Sequence, residues 1–329
     1  MNVAVLNYEG VVTTSVTGPY DMLSKIGMVS KALNVASREN FEVDIVNSAN
    51  LEENLPFYVV GNRTIKSKKQ YDLVLIPAMN FDVIEKTLRN EGELLKWVIK
   101  QYNNGADVAA MCMGTFMLAA TGLLEGKRAT THWMGAPFFR KFFPGVILED
   151  AKIIVDEGRL YTSGAAYSFT SLMIYLIEKF GGRDIALAMS KVFMIQVHDT
   201  SQNAFSIFSL QHDHNDKDIS DVQKHIERNY KNKLSVSGLA ERFNMSERTF
   251  IRKFTATTGN TPLEYIQRVR IEAAKRLLEK GKQTVEEVAR EIGYEDFNSF
   301  RNIFKRFTGL SPKDYKRKYG EMFRNAIVG

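Results

Sequence analysis

The chain of 329 residues has one cysteine, Cys112. A lone thiol excludes an intrachain disulfide framework and a cysteine-built zinc site, and leaves either a buried filler or a reactive group. No run of about 20 apolar residues is present, the length a helix needs to span a bilayer. The opening Met1-Asn2-Val3-Ala4-Val5-Leu6 has no basic stretch before its apolar run, so no signal peptide and no membrane partner are expected, and the chain is expected in the cytoplasm. Among few histidines, His212 and His214 stand with Asp213 and Asp216 but lack a second ligand cluster. A solvated linker is expected there rather than a metal centre, and no cofactor is indicated.

The net charge of +6 is unevenly placed: residues 217–329 carry 24 Lys and Arg against 15 Asp and Glu, and the remainder carries 20 against 23. A basic module joined to a slightly acidic one suits polyanion binding with a separate second function, although Lys and Arg also serve simply to solvate helix faces. The length suits about two domains.

The first part alternates strands and helices. Apolar strand patterns occupy 2–6, 41–46, 73–76 and 106–111, with helical periodicity at 22–36, 94–102 and from 114 to 120. Two further strands, 152–155 and 159–162, flank the turn Glu157-Gly158, and an apolar helix over 168–180 closes at Gly181-Gly182. Such alternation predicts an α/β domain with a mostly parallel sheet covered on both faces. Periodicity fades between 196 and 217, which predicts a linker separating a domain at 1–195 from an all-α domain at 218–329.

That second domain contains a duplicated phrase. Gly259-Asn260-Thr261-Pro262-Leu263-Glu264-Tyr265 recurs as Gly309-Leu310-Ser311-Pro312-Lys313-Asp314-Tyr315, with Phe250 and Phe254 answered by Phe300 and Phe304. The register slips by one residue at Leu239-Ala240 against Val288-Ala289. In each copy a short helix, a turn and a second helix follow one another: 236–243 then 247–257, capped by Ser246, and 285–292 then 297–307, capped by Asp296. With the phenylalanines inward, Arg248, Thr249, Arg252 and Lys253 lie outside in the first copy. Asn298, Ser299, Arg301, Asn302, Lys305 and Arg306 do so in the second, a set able to bond base edges and neutralise phosphates. A long helix over 263–278 would hold the copies at a fixed separation.

Residues from about 219 to 320 resemble the DNA-binding domain of the AraC/XylS family of transcription regulators. The resemblance implies two recognition helices in consecutive major grooves, about 34 Å apart. It makes Arg248, Arg252, Asn298 and Asn302 base readers, and Lys253, Arg301 and Lys305 backbone contacts. Ile251 sits where a polar reader is often found, which leaves the first helix fewer bases to read or an apolar contact with a thymine methyl.

Cys112 falls between a strand and a helix. A nucleophile on such a sharp turn is expected to be exposed, with its thiol pKa lowered by the helix N-terminus, and His132 in Ala129-Thr130-Thr131-His132-Trp133 offers a dyad partner. Ala110-Met111-Cys112-Met113-Gly114, Gly122-Leu123-Leu124-Glu125-Gly126 and Ala129-Thr130-Thr131-His132 resemble the DJ-1/PfpI branch of the class I glutamine amidotransferase-like fold, over about residues 1–195. The whole chain is similar to the GlxA-like group, which fuses this fold to an AraC-type domain. Gly18-Pro19-Tyr20-Asp21 matches that group's Gly-Pro turn.

The resemblance implies a flavodoxin-like parallel sheet and a cleft lined by Ser15, Gly18, Pro19, Ala78, Met79, Cys112, Met113, His132, Ser163 and Tyr167. Departures weaken its catalytic side. Ser15 stands where active relatives place a carboxylate, and Glu9 is offset from that place. Pro77-Ala78-Met79 replaces the glycine pair that supplies an oxyanion-hole amide, and no His-x-Glu pair follows Cys112 as a glutaminase requires. Cys112 is thus a pocket residue of a sensor domain, a hydrolase or lyase nucleophile, or a redox-sensing or inert thiol. His132 is a pocket residue or a structural imidazole. The expected whole is a non-enzymatic regulator that binds promoter DNA and a small-molecule effector and dimerises through its first domain. It is compatible with contact to RNA polymerase and with the nucleoid. The alternatives are a Cys-dependent enzyme with a DNA-binding tail, or an architectural binder with a vestigial first domain.

Overall fold

The computed structural model describes residues 1–49, 59–164, 169–196, 201–208, 210–212 and 214–320. The chain divides into two compact units, Met1–Gln202 and Asn203–Gly329.

In the first unit β1 (Asn2–Asn7), β2 (Glu42–Asn47), β3 (Arg63–Thr64), β4 (Leu73–Ile76) and β5 (Asp107–Met111) run parallel. A short parallel pair, β6 (Arg128–Ala129) and β7 (Ile147–Leu148), stands apart, and the hairpin β8 (Ile154–Asp156) and β9 (Leu160–Ser163) completes the main sheet in the order β3-β2-β1-β4-β5-β9-β8. Only β8 is antiparallel to its neighbour. Parallel strands need crossovers, and the chain supplies helices on both sheet faces. Val3, Val5, Leu73 and Leu75 pack with α1 (Thr14–Ser24), α2 (Ile26–Leu33), α7 (Phe169–Gly181) and α8 (Arg183–Val192). Their alternates Ala4, Leu6, Val74 and Ile76 pack with α3 (Ile84–Asn90), α4 (Gly92–Asn103), α5 (Gly114–Ala120) and α6 (Ala136–Phe142).

The helix expected over 22–36 is two helices that meet at Lys25, and Gly18-Pro19 lies inside α1 rather than in a turn. Pro19 gives up one intrahelical bond. The helix continues through it because Val16, Pro19, Met22 and Leu23 are buried, and because a side chain on Gly18 would collide with the ring of Phe169.

The segment read as a solvated linker is fastened at both ends. Ser201 bridges to Lys152 and the Gln202 amide donates to the Ala151 carbonyl (2.8 Å) in the first unit. In the second unit Lys275 donates to the Ser206 carbonyl and Phe208 lies edge-on to Tyr265. The completely buried Gln223 requires partners, and it takes the Gln211 carbonyl (2.8 Å) and His214 (2.8 Å). His212 meets Glu227 at 3.1 Å. Asp216 caps the following helix, and Asp213 lies outside the described residues.

The second unit is built from α9 (Lys217–Asn229), α10 (Val236–Arg242), α11 (Glu247–Thr258), α12 (Pro262–Glu279), α13 (Val285–Glu291), α14 (Phe297–Thr308) and α15 (Pro312–Tyr319). It has two cores and one shared helix. Tyr265, Ile266 and Val269 of α12 complete a core with α9, α10 and α11, and Ile271, Ala274 and Leu278 complete another with α13, α14 and α15.

The duplicated phrase is the joint between each recognition helix and the next helix. Gly259 and Gly309 end their helices at φ 72° and 74°, in the left-handed region where a Cβ is unfavourable. Thr261 and Ser311 cap the next helix, with proline at its first position. Tyr265 and Tyr315 stand edge-on to Phe254 and Phe304 and donate to Glu227 and Glu279, each at 2.7 Å. The one-residue slip sits in the turn. Asn244-Met245-Ser246 leads from a left-handed Asn244 to the cap of α11, whereas Gly293-Tyr294-Glu295-Asp296 takes one residue more.

Gly259→Ala should cost roughly 1–2 kcal/mol, because the left-handed conformation is strained for any residue with a Cβ and the site has open space, so no clash adds to it. Urea unfolding of the full chain, with a transition assigned to the helical unit, measures the loss.

Candidate functional site

Cys112 ends β5 at φ 53°, a left-handed conformation that costs a non-glycine residue free energy. Bonds on both sides hold it there: its amide donates to the Ser163 carbonyl (2.8 Å) and its carbonyl accepts from the Thr131 hydroxyl (2.9 Å). Gly114 is required two residues on, since a Cβ there would lie 2.2 Å from the Pro77 carbonyl oxygen. The strand-to-helix elbow is therefore present, but the thiol is not exposed. Cys112 is 4% accessible, and burial pushes its pKa up to about 12, outweighing the lowering effect of the Met113 backbone. The helix N-terminus does not prevail because the charged form has lost its water.

The groups that would assist a thiolate are occupied. The Ala78 amide, at the expected oxyanion position, donates to the Ser15 hydroxyl (3.0 Å), which itself donates to the Val12 carbonyl (2.6 Å). The Ala78 carbonyl accepts from Val12 (2.8 Å), Met79 bridges to Val11, and the buried phenol of Tyr8 donates to the Pro77 carbonyl (2.5 Å). Glu9 pairs with Lys86.

His132 is half-buried beside Trp133. Its Nδ1 accepts from the Met134 amide (3.1 Å), and burial lowers its pKa. Among the described residues no hydrogen bond joins it to Cys112. Met113 packs against Gly135, and Gly18 and Pro19 lie by α7. Ala78, Met79, Cys112 and Met113 belong to one buried cluster, Ser15 bonds to Ala78, and Cys112 bonds to Ser163. Ser163 is buried with no hydrogen-bond partner for its hydroxyl among the described residues, and Tyr167 lies outside them.

Sequence reasoning missed three residues here. Tyr8 seals the ends of β1 and β4. Glu91 is buried against the Ser48 hydroxyl (2.9 Å) and the Glu9 amide, and burial raises its carboxyl pKa. Gln202 is buried, and its side-chain amide donates to the Thr131 carbonyl (2.8 Å), the Lys152 carbonyl (3.1 Å) and the Thr130 hydroxyl (3.2 Å), while its oxygen accepts from Trp133 (3.3 Å). A chain of bonds therefore leads from Cys112 through Thr131 to the last residue of the first unit. Nothing in the local pattern marks Gln202, whose partners are distant in sequence.

On the helical unit Arg248, Arg252, Asn298, Arg301, Asn302 and Lys305 are exposed, and the arginines and Lys305 have no ion pair with a described residue. Thr249 joins the cap of α11, accepting at its hydroxyl from Ser246 (2.9 Å), and the Ser299 amide bonds to the capping Asp296. Lys253 departs from the phosphate-contact set: its ammonium lies 2.7 Å from Asp218 and 3.2 Å from Asp216, so its charge is already matched. Arg306 bonds to Gln267 and covers Phe307. Among the described residues no cluster suits a metal ion, and no helix is long and apolar enough to cross a membrane.

Because the thiolate forms only as pH climbs towards the raised pKa, iodoacetamide should label Cys112 in the folded chain about 1,000-fold more slowly at pH 8 than in urea, following the thiolate fraction. The folded-state rate should still be rising at pH 10. A rate that levels off below pH 8 would contradict the buried thiol.

Residues 1–179 match the DJ-1/PfpI family, and residues 239–318 match a helix-turn-helix domain. The HTH-type transcriptional regulator GbdR of Pseudomonas aeruginosa is 25% identical over 219 residues, which cover 66% of this chain and 59% of GbdR. The HTH-type transcriptional regulator GlxA of Rhizobium meliloti is 25% identical over 217 residues, 66% of this chain and 67% of GlxA. Among solved structures, a proposed transcriptional regulator protein from Vibrio parahaemolyticus shares the fold, with a TM-score of 0.51 and 21% identity over 58% of this chain and 98% of that one. The parallel sheet with its Cys112 elbow and the doubled helical unit thus place the chain in the DJ-1/PfpI family, with a C-terminal helix-turn-helix domain of the AraC type.

Proposed function

We propose that the chain is a sequence-specific DNA-binding transcription regulator whose first unit senses a small molecule without converting it. The observation that carries this reading is the pair of helices α11 and α14, equivalent in the repeat, each offering unpaired polar and basic side chains to solvent. Arg248 and Arg252 read one major groove and Asn298 and Asn302 the next, while Arg301 and Lys305 hold phosphates. Guanidinium groups favour guanine and carboxamides favour adenine, so the two half-sites differ in composition.

The desolvated thiol, the occupied Ala78 amide and the absent carboxylate support a non-catalytic first unit. An effector reaching Ser163 and the 130–133 loop would act through Gln202, the last residue of the first unit. It must bind two arrangements of that loop unequally, since equal binding shifts nothing. Dimerisation through the first unit, contact with RNA polymerase and residence on the nucleoid belong to the same proposal, in which two protomers present their readers to paired operator sites.

Arg252→Ala should cost about 1–3 kcal/mol on the preferred site and relax one base position, whereas Lys305→Ala should weaken all sequences alike and lower the salt slope by about one. Fluorescence anisotropy on a selected and a random duplex separates these outcomes. Equal losses on both duplexes for Arg252→Ala would sink the assignment. Turnover by the full chain that disappears in Cys112→Ala, with DNA binding intact, would replace the sensor by an enzyme.

A further inference from the structure

The internal repeat contains its own control. Ile219, Val222, Gln223 and Ile226 of α9 occupy the buried places that Ile271, Ala274, Lys275 and Leu278 occupy on α12. Leu239 and Ala240 likewise match Val288 and Ala289, so the two copies can be compared position by position.

Inside the cores the copies agree, and on one outer face they do not. In the first copy Lys224, His225 and Arg228 of α9 and Arg242 from the last turn of α10 line an open hollow of about 670 Å³, with Asp221, Asn229 and Phe243 in its wall. In the second copy the matching places hold Arg276, Leu277, Lys280, Glu291 and Ile292. An imidazole has become leucine and a guanidinium has become a carboxylate, which pairs with Lys231 at 3.1 Å. The second copy thus has the same core pattern without an imidazole or a guanidinium at these places, so the shared core does not explain their convergence.

The hollow holds three cationic side chains against one carboxylate, Asp221. Arg228 and Arg242 form no ion pair with a described residue, and Lys224 has only Asp221 at 3.8 Å. The His225 ring is set up as a donor. Asn229 Nδ2 donates to the His225 carbonyl (2.9 Å) and lies 3.3 Å from Nδ1, which makes Nδ1 the acceptor and leaves the proton on Nε2. Phe243 meets the imidazole edge-on at 6.0 Å. Burial and then the Arg242 charge lower the His225 pKa. Two forked guanidiniums, an ammonium and an N–H donor around one hollow match the oxygens of a phosphate group.

We propose that this hollow is a phosphate-binding site, filled either by a backbone phosphate of DNA beside the first recognition helix or by a free phosphorylated small molecule. The DNA source rests on the proposed regulator reading, and the free source does not.

The test uses the full chain and the variant H225L/R242E, which installs the residues the second copy carries, with Arg183→Glu as a charge-change control in the other unit. Cooperative melting and unchanged circular dichroism establish that the variant folds, and Arg228→Ala supplies an independent probe should it not. Binding to a random-sequence duplex is followed by anisotropy across a salt series, and inorganic pyrophosphate is titrated in a thermal-shift assay. If the phosphate belongs to DNA, the variant should bind the duplex about tenfold more weakly with a salt slope lower by about one to two, while the control is unaffected. If it belongs to a small molecule, pyrophosphate should raise the melting temperature of the native chain and the control but not of the variant. Equal duplex losses for variant and control, together with no pyrophosphate response that the variant abolishes, would overturn the site. Failure of the native chain to bind DNA would sink the regulator reading alone, and pyrophosphate would then decide the site by itself.

Discussion

The bond from the Ala78 amide to the Ser15 hydroxyl determines the character of the first unit. It draws the start of α1 onto the loop after β4, at the carboxyl ends of parallel strands where an open α/β sheet usually offers its crevice. Tyr8 seals the same loop from β1. With water excluded, the Cys112 thiol is held protonated and the amide that could stabilise an oxyanion is already bonded. The strained elbow persists because the passage from β5 to α5 needs it: Gly114 sits against the Pro77 carbonyl, and Ser163 and Thr131 hold the Cys112 peptide on either side. The elbow of a nucleophile is present, with its thiol buried.

The second unit rests on a different economy. Its two cores use the same aromatic stack, Phe250-Phe254-Tyr265 and Phe300-Phe304-Tyr315, with neighbouring rings 5.3–5.7 Å apart. Edge-to-face stacking of this kind defines each core tightly. The outer faces were left free to diverge, arginines on one recognition helix and asparagines on the other, cations beside α9 and a carboxylate at the matching place on α13.

Strands read from apolar runs, such as 73–76 and 106–111, coincide with observed strands because a buried parallel strand has little freedom in composition. The repeat was equally legible, since each copy must satisfy the same helix ends. What escaped were features decided by distant partners. α9 has a polar sequence with only Ile219, Val222 and Ile226 to mark it, and its buried Gln223 is explained only by Gln211, His214 and Tyr265. Pro19 reads as a turn until Phe169 is placed against Gly18. Cys112 reads as an exposed thiol until the structure shows it buried at the strand ends. Lys253 reads as a phosphate contact until two aspartates from the start of α9 are found beside it. In each case the decisive neighbour is distant in sequence.

The sharing of α12 between two cores has a geometric consequence. Its 18 residues make a rod about 27 Å long, and because Tyr265 anchors one end and Leu278 the other, neither recognition helix can turn without carrying its counterpart. A DNA target would have to fit that rod. One base pair inserted between the two contacted segments rotates one of them by about a tenth of a turn, and α12, shared by both cores, would have to bend to follow it. Spacing, as much as base identity, would then be part of what such a unit recognises.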